Sequence, residues 1–119
     1  MKAILLVSHG SRSPKTKEEI IVLVASLRQR LPGTIVEFAF LEIEPPSIPE
    51  GIDKCVSQGA AEIVVTLNFL NAGRHVNDDI PAIVSEAKKK YPLIKFSLSQ
   101  PVGQHPQIPN LFIDLINNA

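Results

Sequence analysis

Apolar residues cluster along the chain in four short runs, Ala3–Val7, Thr34–Leu41, Glu62–Leu67 and Ile94–Leu98. The first and third, AILLV and IVVTL, are almost continuous, the pattern of parallel strands covered by helices on both faces. Between the runs the pattern changes to a helical period. Ser13-Pro14 has the form of an N-cap followed by proline at the first helical position. Ile20, Val24, Leu27 and Leu31 then make an apolar stripe, and Pro32-Gly33 ends it. Ser47-Ile48-Pro49-Glu50 reads as a capping box, with Ile52, Cys55 and Val56 as the apolar face and Gly59 placed for the C-terminal cap. A third helix is predicted from near Asp78-Asp79 to Lys88-Lys89-Lys90. Acid at its start and base at its end suit the helix dipole, so the lysine run is a solvated terminus. A last helix carries Leu111, Phe112, Leu115 and Ile116.

Strands alternating with helices predict an α/β domain of three layers, a four-stranded parallel sheet with right-handed crossovers. The expected topology is flavodoxin-like, with strand order 2-1-3-4. The 119 residues fit a single domain spanning 1–119, with no internal repeat, low-complexity tract or linker. Hydrophobic residues at 45% and charged residues at 20% are an ordinary globular balance and argue against disorder. Twelve basic and twelve acidic residues cancel, which argues against a broad basic face for nucleic acid while leaving room for a local cationic pocket. The apolar run in MKAILLVSHG is far shorter than the ~20 residues of a membrane span and reads as a first strand, not a leader. The single cysteine, Cys55, excludes an internal disulfide and fits a reducing compartment, as a small buried thiol. The expectation is a soluble, cytoplasmic protein.

In open parallel sheets, ligands bind beyond the carboxyl ends of the strands, where the strand order reverses. His9 ends the first strand, in LLVSHGSR; Glu42 ends the second, in FLEIEPP; His75 lies just beyond the third, in NFLNAGRHVNDDIP. The separations are 33 residues each time, about one strand–helix–strand step. With neighbouring strands ~4.8 Å apart, the three side chains can converge on one ion or one reacting atom. Each has a duller explanation: a hydrogen-bonded loop histidine, or a surface acid, with Glu44 facing the other way if the segment is extended. Jointly they are harder to dismiss. Two imidazoles and a carboxylate suit a borderline divalent metal such as Fe, Co, Ni or Zn. Without cysteine ligands or a tight histidine pair, the set points to a metal handed over, not caged. The same groups could equally do proton work. His105, in PVGQHPQIP, reads as a structural residue ahead of the last helix.

The surroundings of these residues suggest anions. Gly10-Ser11-Arg12 runs into a helix N-terminus, whose free amides favour negative groups. Arg74 stands beside His75, and Arg12 and Lys15 lie near His9. Arginine can grip a carboxylate through two parallel hydrogen bonds. Taken singly, all three are also ordinary surface cations.

LLVSHGSR, FLEIEPPSIPEGIDKCVSQGA, FLNAGRHVNDDIP and PVGQHP resemble, in order and spacing, the small single-domain sirohydrochlorin cobaltochelatases and ferrochelatases of the class II chelatases. The resemblance runs over nearly the whole chain and implies the same chelatase-like topology. It implies insertion of Co²⁺, Fe²⁺ or Ni²⁺, as substrate and not as a bound cofactor, into sirohydrochlorin, a tetrapyrrole rich in acetate and propionate arms. Such a step belongs to cobalamin- or sirohaem-type biosynthesis. By the same resemblance His9 and His75 hold the metal and Glu42 handles metal or removes pyrrole protons; Ser11, Arg12, Gly73 and Arg74, beside them, are expected to meet the substrate. A chain of this length resembles one half of the larger relatives, so a homodimer is implied, with no nucleic acid or membrane partner. Asn68 and Asn71 depart from the pattern, being more polar than the aromatic or small residues of that loop.

Two other functions compete with this one. A histidine at the end of a first strand can carry a phosphoryl group, but the histidine phosphatases place arginine directly before it, where this chain has Ser8. The other is a dimeric metal or tetrapyrrole carrier that keeps the histidines without turning over. A bare scaffold that binds nothing is the blandest reading.

Overall fold

A computed structural model describes residues 1–119, and in it the four apolar runs form one sheet. The strands are β1 (Lys2–Ser8), β2 (Ile35–Phe40), β3 (Glu62–Leu67) and β4 (Lys95–Leu98), all parallel, in the order β2-β1-β3-β4. This is the expected 2-1-3-4 topology. Pairing, and not apolarity alone, sets the strand ends. Lys2 and Ser8 join β1 because they sit opposite Glu62 and Phe40 in the ladders. Thr34 and Ile94 drop out because their amides close turns onto Leu31 and Tyr91.

Helices α1 (Pro14–Arg30), α2 (Ile48–Ser57) and α3 (Ile80–Lys90) fill the crossovers, and α4 (Ile108–Asn117) ends the chain. The capping box of α2 is complete: the Glu50 amide donates to the Ser47 hydroxyl and the Ser47 amide to the Glu50 carboxylate. Ser13 holds the N-cap position of α1, but its side chain makes no capping bond. The third helical segment starts earlier than its acidic pair suggests. A π-helical turn over His75–Asp79 precedes α3, so the two aspartates lie inside it.

The core is divided by the sheet. On one face Ala3, Leu5 and Val7 of β1 and Ile63, Val65 and Leu67 of β3 pack with Ile48, Ile52 and Cys55 of α2 and Ile80 and Val84 of α3. On the other, Ile20 and Val24 of α1 pack on Leu6, Val36 and Phe40. Leu27 joins this second cluster, whereas Leu31, the last residue of the predicted stripe, caps α1 exposed. Glu37, on β2, is buried and held by Arg28, Lys54 and Gln58 at 3.1–3.4 Å. The apolar residues of α4 find no surface at all: Leu111, Phe112, Leu115 and Ile116 are each more than half exposed.

Cys55 is fully buried, as its position in the α2 pattern implies. Burial first, and the nearby Glu37 carboxylate second, push its thiol from 9.0 up to about 11. Below pH 9.0 the thiol is protonated whether the chain is folded or not; above that the unfolded chain ionises first, so its contribution to stability is lost as pH rises from 9.0 towards about 11. At pH 8 the native protein is therefore expected to react with a disulfide reagent roughly 100-fold more slowly than the urea-unfolded chain. Equal rates would show that the thiol is accessible.

Candidate metal centre

The pairing of Ser8 with Phe40 and of Val7 with Leu67 brings three strand ends to one level. The contact between the first two continues past the strands. The Leu41 amide donates to the Ser8 carbonyl at 2.8 Å and the Glu42 amide to the His9 carbonyl at 3.1 Å. Glu42 is thereby held beside His9, and its Oε1 lies 2.8 Å from His9 Nε2.

Two unusual backbone conformations complete this arrangement. Gly10 turns the chain away at φ +108°, and a Cβ there would lie 2.0 Å from the Glu42 carbonyl oxygen. Only glycine lets the two backbones approach so closely. Ile43 adopts φ +76°, and the Glu44 amide donates to the Glu42 carbonyl at 2.9 Å, closing a three-residue γ-turn of the rare positive-φ kind. A β-branched residue rarely takes that conformation, and such strain concentrates at functional loops. The segment is thus bent, not extended as expected for Glu44. Glu42 turns to His9, and Glu44 accepts the Ser11 amide at 2.7 Å.

His75 opens the π-helical turn, where the Ile80 amide reaches the His75 carbonyl five residues back. Buried Val76 anchors this turn to the core. Asp79 Oδ2 lies 2.7 Å from His75 Nδ1. With a carboxylate as partner, Nδ1 carries the proton and Nε2 keeps its lone pair for an ion or a substrate. Sequence reasoning used Asp79 only as a helix-start acid; the His-x-x-x-Asp spacing within a helical segment was the available signal for this contact.

His9, Glu42 and His75 offer ligand atoms that all lie within 4.8 Å of one another. The imidazole rings are 5.3 Å apart and tilted by 55°. Their side chains are 44%, 50% and 47% exposed respectively, so the donors stand on an open edge. Three donors of this kind on one side of an ion leave its other positions to water or to an incoming ligand.

The residues expected to meet a substrate are placed less uniformly. Arg12 and Arg74 are exposed and pair with no carboxylate. Arg12 and Ser11 line a shallow cavity of about 400 Å³ with Ser13, Lys17, Ile43 and Glu44. The Ser11 amide is already occupied by Glu44, and the Ser13 amide by the Ser11 hydroxyl, so two of the expected anion-binding amides are taken. Gly73 faces open space and accepts the Asn77 amide through its carbonyl. Lys15 is exposed on α1. Asn68 donates to the Ser8 hydroxyl at 3.0 Å, a tie between the ends of β3 and β1 beneath the rim, while Asn71 is exposed. His105 stands apart from the three-residue set and accepts the Gln107 amide through Nδ1, the structural role expected of it.

The sequence model of the CbiX family matches residues 3–119. The chain belongs to the CbiX family. It is 38% identical over 108 residues to a sirohydrochlorin cobaltochelatase of Priestia megaterium, covering 90% of this chain and 35% of that one. It is 34% identical to the sirohydrochlorin cobaltochelatase of Sulfolobus acidocaldarius, over 100% of this chain and 93% of the other. The crystal structure of the sirohydrochlorin chelatase SirB from Bacillus subtilis subspecies spizizenii in complex with cobalt superposes with a TM-score of 0.88 at 31% identity, covering 98% of this chain and 50% of that one. The chain spans between about a third and a half of several curated relatives that it matches.

Two substitutions test how this CbiX rim is built. Gly10→Ala is expected to force the Glu42 loop outward, lowering unfolding free energy by about 2 kcal/mol and cobalt affinity at least tenfold, read by urea unfolding and by Co²⁺ titration. Asp79→Ala should leave stability nearly unchanged and weaken Co²⁺ binding by about 10–100-fold, since His75 loses the partner that orients it. Unchanged cobalt affinity in Asp79→Ala would show that the contact does not position the ring.

Proposed function

We propose that this CbiX-family chain inserts a divalent metal, Co²⁺ or Fe²⁺, into sirohydrochlorin. The observation that carries the reading is the convergence of His9, Glu42 and His75 within 4.8 Å on an open strand-end rim. The names of relatives support the two metals. For Ni²⁺ the support is the donor set alone, which suits all three ions.

Metallation of a tetrapyrrole exchanges one divalent ion for two pyrrole protons. Nε2 of His75 is held ready by Asp79, whereas Nε2 of His9 is engaged with Glu42. For an ion to bind His9 Nε2, the proton which that nitrogen donates to Glu42 must first pass to Nδ1 through solvent or leave to solvent, and that exchange frees the Glu42 carboxylate. Glu42 is then an unengaged base on the rim, able to accept a proton from a pyrrole nitrogen while the two imidazoles present the ion. Half-exposed donors suit transfer, because an ion enclosed by four protein ligands would not leave for the ring. Unpaired Arg12 and Arg74 are suited to the acetate and propionate arms. The free space at Gly73 lets the macrocycle approach, and Ser11 contributes as a wall of the Arg12 cavity.

One rim forms one side of an enclosure, which supports a homodimer around the macrocycle. No helix is long and apolar enough to cross a membrane. That and the single buried thiol support action in the cytoplasm. The rim disfavours phosphoryl transfer: an arriving phosphate meets Glu42 and Glu44, and Glu44 holds the Ser11 amide. Of the two polar residues that depart from the family pattern, Asn68 is committed to Ser8 beneath the rim and Asn71 is exposed.

The test is an anaerobic absorbance assay with sirohydrochlorin and Co²⁺ or Fe²⁺, against a no-protein control. Multiple turnovers are expected, falling to the control rate in His9→Ala and in His75→Ala. Glu42→Gln should keep cobalt bound while turnover drops by about 10²–10⁴-fold, the range for removing a general base. Tetrapyrrole binding limited to one equivalent, without turnover, would overturn the enzymatic reading in favour of the carrier.

A further inference from the structure

Ile43 occupies a position where its own chemistry is a disadvantage. At φ +76° it is the only residue other than glycine with a positive φ in the chain. Glycine or asparagine takes such a conformation readily, whereas a branch at Cβ crowds the backbone. The turn alone therefore calls for a residue without that branch, and an isoleucine in it costs stability. Burial does not offset the cost, because Ile43 is 54% exposed and joins neither core cluster. Its Cβ lies over bare Gly10, 3.5 Å from where a Cβ on that glycine would stand. A strained turn that holds a large apolar side chain in solvent is explained by a ligand that arrives from solvent.

The surroundings say which kind. The γ-turn sends its three residues to different neighbours. Glu42 turns to His9, at 2.8 Å, and Glu44 to the Ser11 amide, at 2.7 Å, which leaves Ile43 between the metal donors and the segment leading into α1. There it is the only large apolar side chain lining the Arg12 cavity, whose other walls include Ser13, Pro14 and Lys17. Lys17 is tied to the Pro45 carbonyl at 3.2 Å, so Arg12 is the free cation of that cavity. Ile43 also lines a second hollow of about 270 Å³, with Phe40, Leu41 and Ser47. An exposed apolar side chain with a free guanidinium on one side and three metal donors on the other matches one ligand chemistry: an apolar ring, carboxylate arms at its edge and metal-binding nitrogens at its centre. Arg12 by itself would accept any carboxylate.

We propose that Ile43 is a ring-binding residue of this site, packing its side chain against the edge of the tetrapyrrole beside the arm that Arg12 holds. The assignment rests on the reading of the rim as a tetrapyrrole site and adds to it a residue that touches neither the ion nor the transferred protons. Contact with the ring removes the Ile43 side chain from water, and the affinity so gained is what the strained turn secures.

The experiment is a titration of the metal-free full chain with sirohydrochlorin, followed by absorbance, beside a Co²⁺ titration and urea unfolding of the same proteins. Ile43→Gly and Ile43→Asn suit a positive φ. Both are expected to keep the urea midpoint and the Co²⁺ affinity of the wild type while weakening sirohydrochlorin binding about tenfold or more. Ile43→Leu, which keeps the apolar bulk, should bind the ring within about threefold of the wild type. Ring binding by Ile43→Gly and Ile43→Asn as tight as that of the wild type would overturn the assignment. So would a matching loss of Co²⁺ affinity, which would make Ile43 part of the turn that places Glu42 and nothing more. A wild type that binds the ring without turnover would remove the enzymatic reading and leave the Ile43 contact standing; a wild type that binds no ring would remove both.

Discussion

The pairing of β1 with β2 does not stop where the strands do. Two further amides, those of Leu41 and Glu42, reach back to the carbonyls of Ser8 and His9, and the side chains of the rim are set by that extension. β1 is rigid because it is paired on both sides, with β2 and with β3, and it holds the edge strand β2 in register. A ladder that runs on into the loop transfers this rigidity to His9 and Glu42. The close approach of Gly10 to the Glu42 carbonyl is the condition for it, since any side chain at residue 10 would separate the two segments. The third member, His75, is set differently, by a π-helical turn anchored through buried Val76 and by Asp79 on the far side of its ring.

These two modes of support give the rim its asymmetry. His75 has a carboxylate behind it, on Nδ1, and its Nε2 is unpaired; His9 has a carboxylate in front of it, on Nε2. Under the proposed metallation, one imidazole is ready for an ion, whereas the other must first give up its hydrogen bond to Glu42. That exchange would disfavour a permanently closed site and would couple arrival of the ion to release of the Glu42 carboxylate. Electrostatics near the rim follow the same division. Glu42 and Glu44 are committed inward, to His9 and to the Ser11 amide, while Arg12 and Arg74 remain open to solvent and to anionic groups carried by a larger ligand.

Much of this was legible in the sequence because it depends on local rules. Near-continuous apolar runs such as AILLV and IVVTL specify parallel strands, and the capping box at Ser47 specifies the start of α2 without any knowledge of the fold. The recurrence of chemistry at strand ends, His9, Glu42 and His75, followed from the repeating strand–helix unit. What was not legible depended on backbone torsion and on tertiary contact. The γ-turn at Ile43 violates the preference of its own residue type, so no propensity could predict that Glu42 and Glu44 serve neighbouring groups. Occupation of the Ser11 amide by Glu44 is a contact across 33 residues, invisible to a reading that saw only a glycine-led turn into a helix. Asp79 looked like a dipole-matching acid because i,i+4 contacts and helix-start acids share the same short spacing.

The last helix shows the limit of periodicity in another way. Its apolar stripe predicts that α4 is buried, and periodicity reports only that a face seeks a partner, not which molecule supplies it. In α2 the partner is the sheet beneath, reached through Ile48, Ile52 and Cys55. In α4 the turn at Gly103 and the prolines that follow carry the helix away from the sheet.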